Sequence, residues 1–514
     1  MAVIGGGAIL ATNDSGDPVS LSSTAEGHLE VAIHGPRLPF GAMDMAELHP
    51  VFQQDAVYGI LASEVVETTS SGSTSGASNL FTVSTSNTTA GSFATIQSRK
   101  RLRYRPGQGV VARYTALFTS GVTNAVQVAG VGTAESGYYF GYNGTTFGIL
   151  WVTGGVREIQ TLTVNTGAGG SETVTVTLGG VQFSVPVTSG TATAVANTIA
   201  NFTYSGWKAD ARGATVVFVA NSAGDKTGTF SISSTGTAAG TFAQTLQGVA
   251  STDTWIAQAD WNGDKLDGTG ASGATIDPTK GNIYQVDIQY LGFGSITFKV
   301  EIAATGNNPD FVTVHTLQFP NTRTAVTTSQ PSFPFTMSAY NTGTASGTCS
   351  VKCGSYAGFI AGKRVLNGPR CSFVNSVTSS TSTFVPLFTV RNDYMYAGRA
   401  NQAVAHLLSV SGAAKSTSGI TTFYVLKNCT ISAGTPSYAS YASGSVFYYD
   451  TAATACTFTN DQLVWSATVS ESGQFVFTFS DDIELQPGET LTLAVRSVTQ
   501  TAVCVGQLNF REDQ

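Results

Sequence analysis

Arg99, Arg101, Arg103 and Arg105 stand at alternate positions in SRKRLRYRPGQGVVARYTALF (98–118). With Lys100 they supply five of the chain's 25 basic residues, in a protein of formal net charge −7. On a β-strand the four arginines share one face at a repeat of about 6.6 Å, while Lys100, Leu102 and Tyr104 take the other. Such a ladder can neutralise phosphates or grip carboxylates through bidentate forks. Nucleic-acid proteins spread basic residues over a whole face and have a raised isoelectric point. Here the isoelectric point is near 5.3 and no second cluster is comparable. The spacing points to a subunit or particle contact, or to carboxylates within the fold, ahead of nucleic acid.

A second candidate is the acidic loop DWNGDKLDGTG (260–270). Asp260, Asn262 and Asp264 fall at positions 1, 3 and 5 of a calcium loop, with Asp267 close behind. Position 12, which should carry a bidentate carboxylate, is Ala271. A turn closed by Asx hydrogen bonds accounts for the same residues. The expectation is therefore no cofactor, with calcium as the one metal to test. Tyrosines in SYASYASGSVFYYD (437–450) form a third set. Tyr438, Tyr441, Tyr448 and Tyr449 could stack on sugars or anchor a receptor, or fill cores and subunit seams.

Catalytic signatures are missing from the sequence. The five histidines (His28, His34, His49, His315, His406) form no HExxH, and no GxSxG or Walker motif occurs. His315, inside VTVHTLQF, has the neighbours of a core or pocket-wall residue. The six cysteines are too few and scattered for a disulfide framework and read as free buried thiols. Nothing here suggests an enzyme.

The elements that must position these residues are strands. Charged residues make up 11% of the chain and hydrophobic ones 42%, with 57 glycines, so cores can form while Thr and Val favour strands and Gly turns them. The expected fold class is all-β and multidomain, with jelly-roll or β-sandwich domains and a small α+β insertion module. Residues 1–50 read as an N-terminal particle-docking segment without its own core. Residues 51–160 and 253–363 read as two halves of one sandwich, 161–252 as the inserted module, and 364–514 as a C-terminal sandwich. The module's TATAVANTIANF (191–202) predicts a helix capped by Thr191 or Thr193, with Ala194, Val195, Thr198, Ile199 and Phe202 on its apolar stripe. No apolar run reaches 18 residues. The first residues lack the pattern of a secretory signal, so synthesis in a host cytoplasm is expected.

Several motifs occur in a fixed order: HLEVAIHGPRLPFG (28–41), HPVFQQDAVYGI (49–60), IQSRKRLRYRPGQGVVARYTALFT (96–119), FGYNGTTFGIL (140–150), LDGTGASG (266–273), IQYLGFGSITFKVE (288–301) and VHTLQF (314–319). LFTVRN (387–392), PGETLTL (487–493) and NFRED (509–513) follow. In this the chain resembles a family of virion structural proteins, of the fibre, spike or tail-associated kind, found in tailed phages and large algal viruses. The resemblance implies localisation in the virion, a homotrimer appended to tail or capsid, and a part in host attachment. Implied partners are other virion proteins and a host surface receptor or glycan. Two alternatives stay open: a head-decoration or minor capsid protein that stabilises the shell, and a glycan-degrading tailspike.

Overall fold

The computed structural model describes residues 10–12, 18–20, 47–133, 135–303, 309–362, 368–415 and 419–513. The chain divides into two units, 1–48 and 49–514. In the first, Leu10–Thr12 pairs antiparallel with Pro18–Ser20. The other residues of the expected docking segment up to 46, with His28, His34 and the motif HLEVAIHGPRLPFG, lie outside the described residues.

The second unit opens with a sandwich of two antiparallel sheets. One has seven strands, in spatial order Thr252–Ala257, Thr146–Thr153, Gly137–Asn143, Ala125–Gly132, Ser332–Asn341, Phe93–Arg103 and Val65–Ser70. The opposing sheet is built around Val110–Phe118, flanked by Asn282–Ile288 on one side and by Ser350–Cys353 and Ser355–Ala361 on the other. Period-two alternation decides what is buried. Val110, Ala112, Tyr114, Ala116 and Phe118 point into the core, while Val111, Arg113, Thr115 and Leu117 point away. Tyr114, Phe140, Tyr284, Phe298 and Phe335 fill the space between the sheets.

Thr146–Thr153 pairs directly with Thr252–Ala257, Thr153 lying opposite Thr252. The chain thus leaves and re-enters this sheet at one place, and the residues between build a module with a separate core. That module has a four-stranded and a three-stranded sheet and one helix, Ala192–Ala200. Thr191 caps the helix, its hydroxyl accepting from the Ala194 amide at 3.3 Å. Val195, Ala196 and Ile199 are its buried residues. Thr198, expected on the buried stripe, is exposed instead. Its hydroxyl donates back to the Ala194 carbonyl at 3.0 Å, and Ala196 takes the inward place.

The C-terminal sandwich packs a four-stranded sheet (Arg370–Thr378, Val503–Asp513, Val404–Lys415, Gln474–Leu485) against a six-stranded one containing Val385–Asn392, Thr490–Ser497 and Ile420–Lys427. Phe388, Phe423, Leu493, Leu508 and Phe510 lie in its core. Gly488 in the PGETLTL turn takes φ +86°, and a Cβ there would run into the Tyr394 ring. Among the described residues the fold is all-β and multidomain, with two β-sandwiches and a small α+β module. No helix among the described residues is long and apolar enough to cross a membrane.

Candidate functional site

The arginine ladder lies on Phe93–Arg103 and the two residues after it. Ala94, Ile96, Ser98, Leu102 and Tyr104 are buried, and the arginines lie on the opposite face. The register with Ser332–Asn341 breaks inside the ladder: Gln97 faces Thr336, yet Arg101 faces Pro334. Four residues on one strand therefore span two on the other. The bulge adds an even number, so parity survives it. Ser98 fastens the bulge, accepting from the Phe335 amide at 2.9 Å and donating to the Lys100 carbonyl at 2.7 Å.

Three rungs meet carboxylates of the C-terminal sandwich. Arg105 Nη2 lies 2.8 Å from Asp513 Oδ2, and Arg103 Nε lies 3.7 Å from Asp513 Oδ1. Arg103 also donates to the Asp513 carbonyl. Arg99 donates to the Ala62 carbonyl at 2.6 Å and stands 3.8 Å from Glu489. His406, on Val404–Lys415, brings Nε2 within 3.9 Å of Asp513. Burial lowers the pKa of Arg103; Asp513 opposes this and Arg105 reinforces it. The Arg101 guanidinium is pushed down to about 10 by burial and by Arg157, with Glu135 acting the other way. Glu135 is itself engaged, by Arg157 at 2.8 Å and by Gln402 at 3.0 Å.

A second ionic seam joins the module to the C-terminal sandwich, and sequence reasoning missed it. Asp393 is fully buried, its Oδ2 2.7 Å from Arg212 Nε and 3.6 Å from Arg391 Nη2. Arg391 Nε is 3.4 Å from Asp210 Oδ1, and Arg391 Nη2 donates to the Ala211 carbonyl at 2.6 Å. The Tyr394 amide serves both acids, at 2.7 Å from Asp210 and 2.8 Å from Asp393. Burial drives the Asp210 pKa well above the ordinary carboxylate range; Arg391 opposes this and Asp393 adds to it. For Asp393, burial is outweighed by Arg391, by the hydrogen bond from Asp210 and by Arg212, which hold it below that range. The two acids are thus pushed apart, Asp210 toward its protonated form and Asp393 toward its ionised one. The available signal was Arg391 inside LFTVRN, a cation that continues a mostly apolar strand with no acid nearby in the sequence but Asp393.

Two of the tyrosines belong to this seam. The Arg391 guanidinium lies 4.1 Å from the Tyr438 ring centroid and that of Arg212 lies 4.5 Å from Tyr448. Tyr449 and Tyr441 pack against Phe373, at 5.8 and 4.5 Å between centroids. Tyr441 also accepts from the Ser372 amide, and of the four it alone is exposed.

In the acidic loop, the side chains are directed to backbone groups. Asp264 accepts from the Leu266 and Ser272 amides at 2.9 and 2.7 Å. Burial would raise its pKa, but these amides hold it low. Asn262 exchanges two hydrogen bonds with the Thr316 backbone. Asp267 accepts from the Thr269 amide and hydroxyl, and Asp260 is exposed. Among the described residues no group of three or more His, Cys, Asp or Glu side chains could hold a metal ion. His315 is buried, accepts from the Asn262 amide at 3.2 Å, and has its pKa lowered by burial. All six cysteines are free.

No family model matches the chain, and no curated protein does. Among solved structures, an engineered GH43 glycoside hydrolase with endo-xylanase and exo-arabinofuranosidase activity shows a TM-score of 0.23 at 10% identity over 68% of this chain. The chain spans about half of that enzyme's length (48%). A protein described under the triple jelly-roll fold and turret assembly of an archaeal virus gives 0.15 at 10% identity, covering 77% of this chain and 90% of its own. A chain of Sulfolobus Turreted Icosahedral Virus gives 0.16 at 10% identity, covering 88% and 91%. At such TM-scores these likenesses carry no functional argument.

Proposed function

We propose that this chain is a structural protein of a virus particle: a homotrimeric fibre or spike on the tail or capsid that takes part in host attachment without catalysis. The observation that supports it best is where the buried charge is placed. Asp513 with Arg103 and Arg105, Asp393 with Arg212, and Arg391 with Asp210 all tie the C-terminal sandwich to other parts of the chain. Ionic seams of this kind fix domains in one relation, which suits an appendage and contributes nothing to turnover. The ordered sequence motifs add the virion to this reading. On it, the outer rungs of the ladder and the exposed Tyr441 are the first places to look for contacts with a second subunit or a receptor.

The test is the mass of the full-length protein by light scattering at micromolar concentration, with adsorption of host cells in its presence. A trimer that blocks adsorption supports the proposal. A monomer overturns the trimer. A trimer that leaves adsorption untouched but binds capsid shells moves the role to shell decoration. Release of reducing sugar from host envelope polysaccharide overturns the non-enzymatic reading.

A further inference from the structure

A small cavity opens beside the ladder, between the two sandwiches. Arg101, Arg103, Arg105 and His406 line it together with Glu484 and Asp513. Arg103 and Arg105 are already served by Asp513. Arg101 is not: its Nε and Nη1 are shielded from solvent and meet no hydrogen-bond acceptor among the described residues. Glu135, the acid that acts on it from a distance, is taken by Arg157 and Gln402. An arginine does not shed its proton to escape burial at neutral pH, so two shielded N–H groups of a charged guanidinium without an acceptor carry a desolvation cost. Counting the arginines and acids of the lining, three positive charges face two negative ones.

We infer that this cavity binds one small monovalent anion, a carboxylate head or an inorganic ion of that size, on the guanidinium of Arg101. Three features set the class. The excess of one positive charge calls for a single negative one. The space admits little more than a water-sized group with a few attached atoms. Asp513 and Glu484 in the wall disfavour a dianion such as phosphate. The guanidinium edge matches a carboxylate geometrically. The ion would close the charge balance between the sandwiches, whatever the role of the whole protein.

The experiment is a thermal-unfolding titration of the full chain, replacing the bulky sulfonate MES by formate, both as sodium salts, at constant total sodium and pH. Wild type should show a saturable rise in Tm. In Arg101→Met the apparent affinity for formate should fall at least about tenfold, the loss of one charge-assisted hydrogen bond. In the sulfonate salt alone the variant should be at least as stable as wild type, because the unpaired charge is gone. Should the variant fail to fold, a wild-type crystal soaked in bromide must show an anomalous peak at Arg101. No saturable rise in wild type, an equal rise in the variant, or no bromide at Arg101 each overturns the inference. Light scattering in the two salts separates the sources of the charge. Association in the sulfonate salt that formate reverses means a neighbouring copy's carboxylate fills the site; an unchanged mass means a free ion does.

Discussion

Replacing Asp393 by Ala removes the one acid that both Arg212 and Arg391 depend on. The carboxylate accepts from Arg212 Nε at 2.7 Å and from the Tyr394 amide at 2.8 Å, with Arg391 Nη2 at 3.6 Å, and none of it reaches solvent. Truncation leaves two guanidinium groups, 15% and 7% exposed, with Asp210, 3.4 Å from Arg391, as the acid that remains. Breaking a buried pair from one side costs about 3–5 kcal/mol. At about 1.4 kcal/mol per factor of ten, the unfolded population of the C-terminal sandwich rises between roughly a hundredfold and a few thousandfold. The assay is urea unfolding followed by tryptophan fluorescence, since Trp465 packs against this core. Lys280→Ala is the control: the side chain is 79% exposed and 3.5 Å from Asp277, so its loss should cost little. The triple change Arg212→Met, Arg391→Met and Asp393→Leu, which removes both cations with their shared acid, should recover much of the loss. A cost for Asp393→Ala no larger than that of the control would refute the seam as a stabilising junction.

Three further outcomes follow from the same geometry. Asp210 has a raised pKa in the fold, so the folded state binds its proton more tightly and its contribution is lost as pH rises. Wild type should therefore lose stability relative to Asp210→Asn from about pH 4 upward, by at most about 1.4 kcal/mol per unit, in unfolding curves taken across pH. Cys429 is held at about 7 by a hydrogen bond from the Cys456 thiol, against the effect of burial. Brief iodoacetamide treatment of the native protein should label Cys429 before Cys349, Cys353, Cys371 and Cys504, with a half-maximal rate near pH 7 read by peptide mass spectrometry. Gly141→Ala should cost about 1–3 kcal/mol in unfolding experiments, because the new Cβ collides with the Gln127 carbonyl of the neighbouring strand.

What the sequence could disclose was set by range. Alternation is local, so VVARYTALF shows its buried face from residue types alone, and the helix near 191–202 reveals its cap and most of its stripe. The one-sided ladder was legible for the same reason. It survives in the fold because the bulge at Ser98 adds two residues; a single extra residue would have turned the arginines inward. The partners were not legible. Arg105 and Asp513 are 408 residues apart, and no local pattern couples them. Arg391 and Asp210 likewise meet only once the module and the C-terminal sandwich are both in place. Tyr438 and Tyr448 sit in a loop-rich stretch suited to a binding surface, yet their rings are taken by Arg391 and Arg212.

The central claim is that this chain is built into a virus particle. Electron microscopy of purified particles, labelled with an antibody against residues 370–513, tests it most directly. Label on discrete tail or capsid appendages, with density for a threefold bundle of the two sandwiches, is the expected result. Unlabelled particles, with the protein recovered only from the soluble fraction of infected cells, would contradict it.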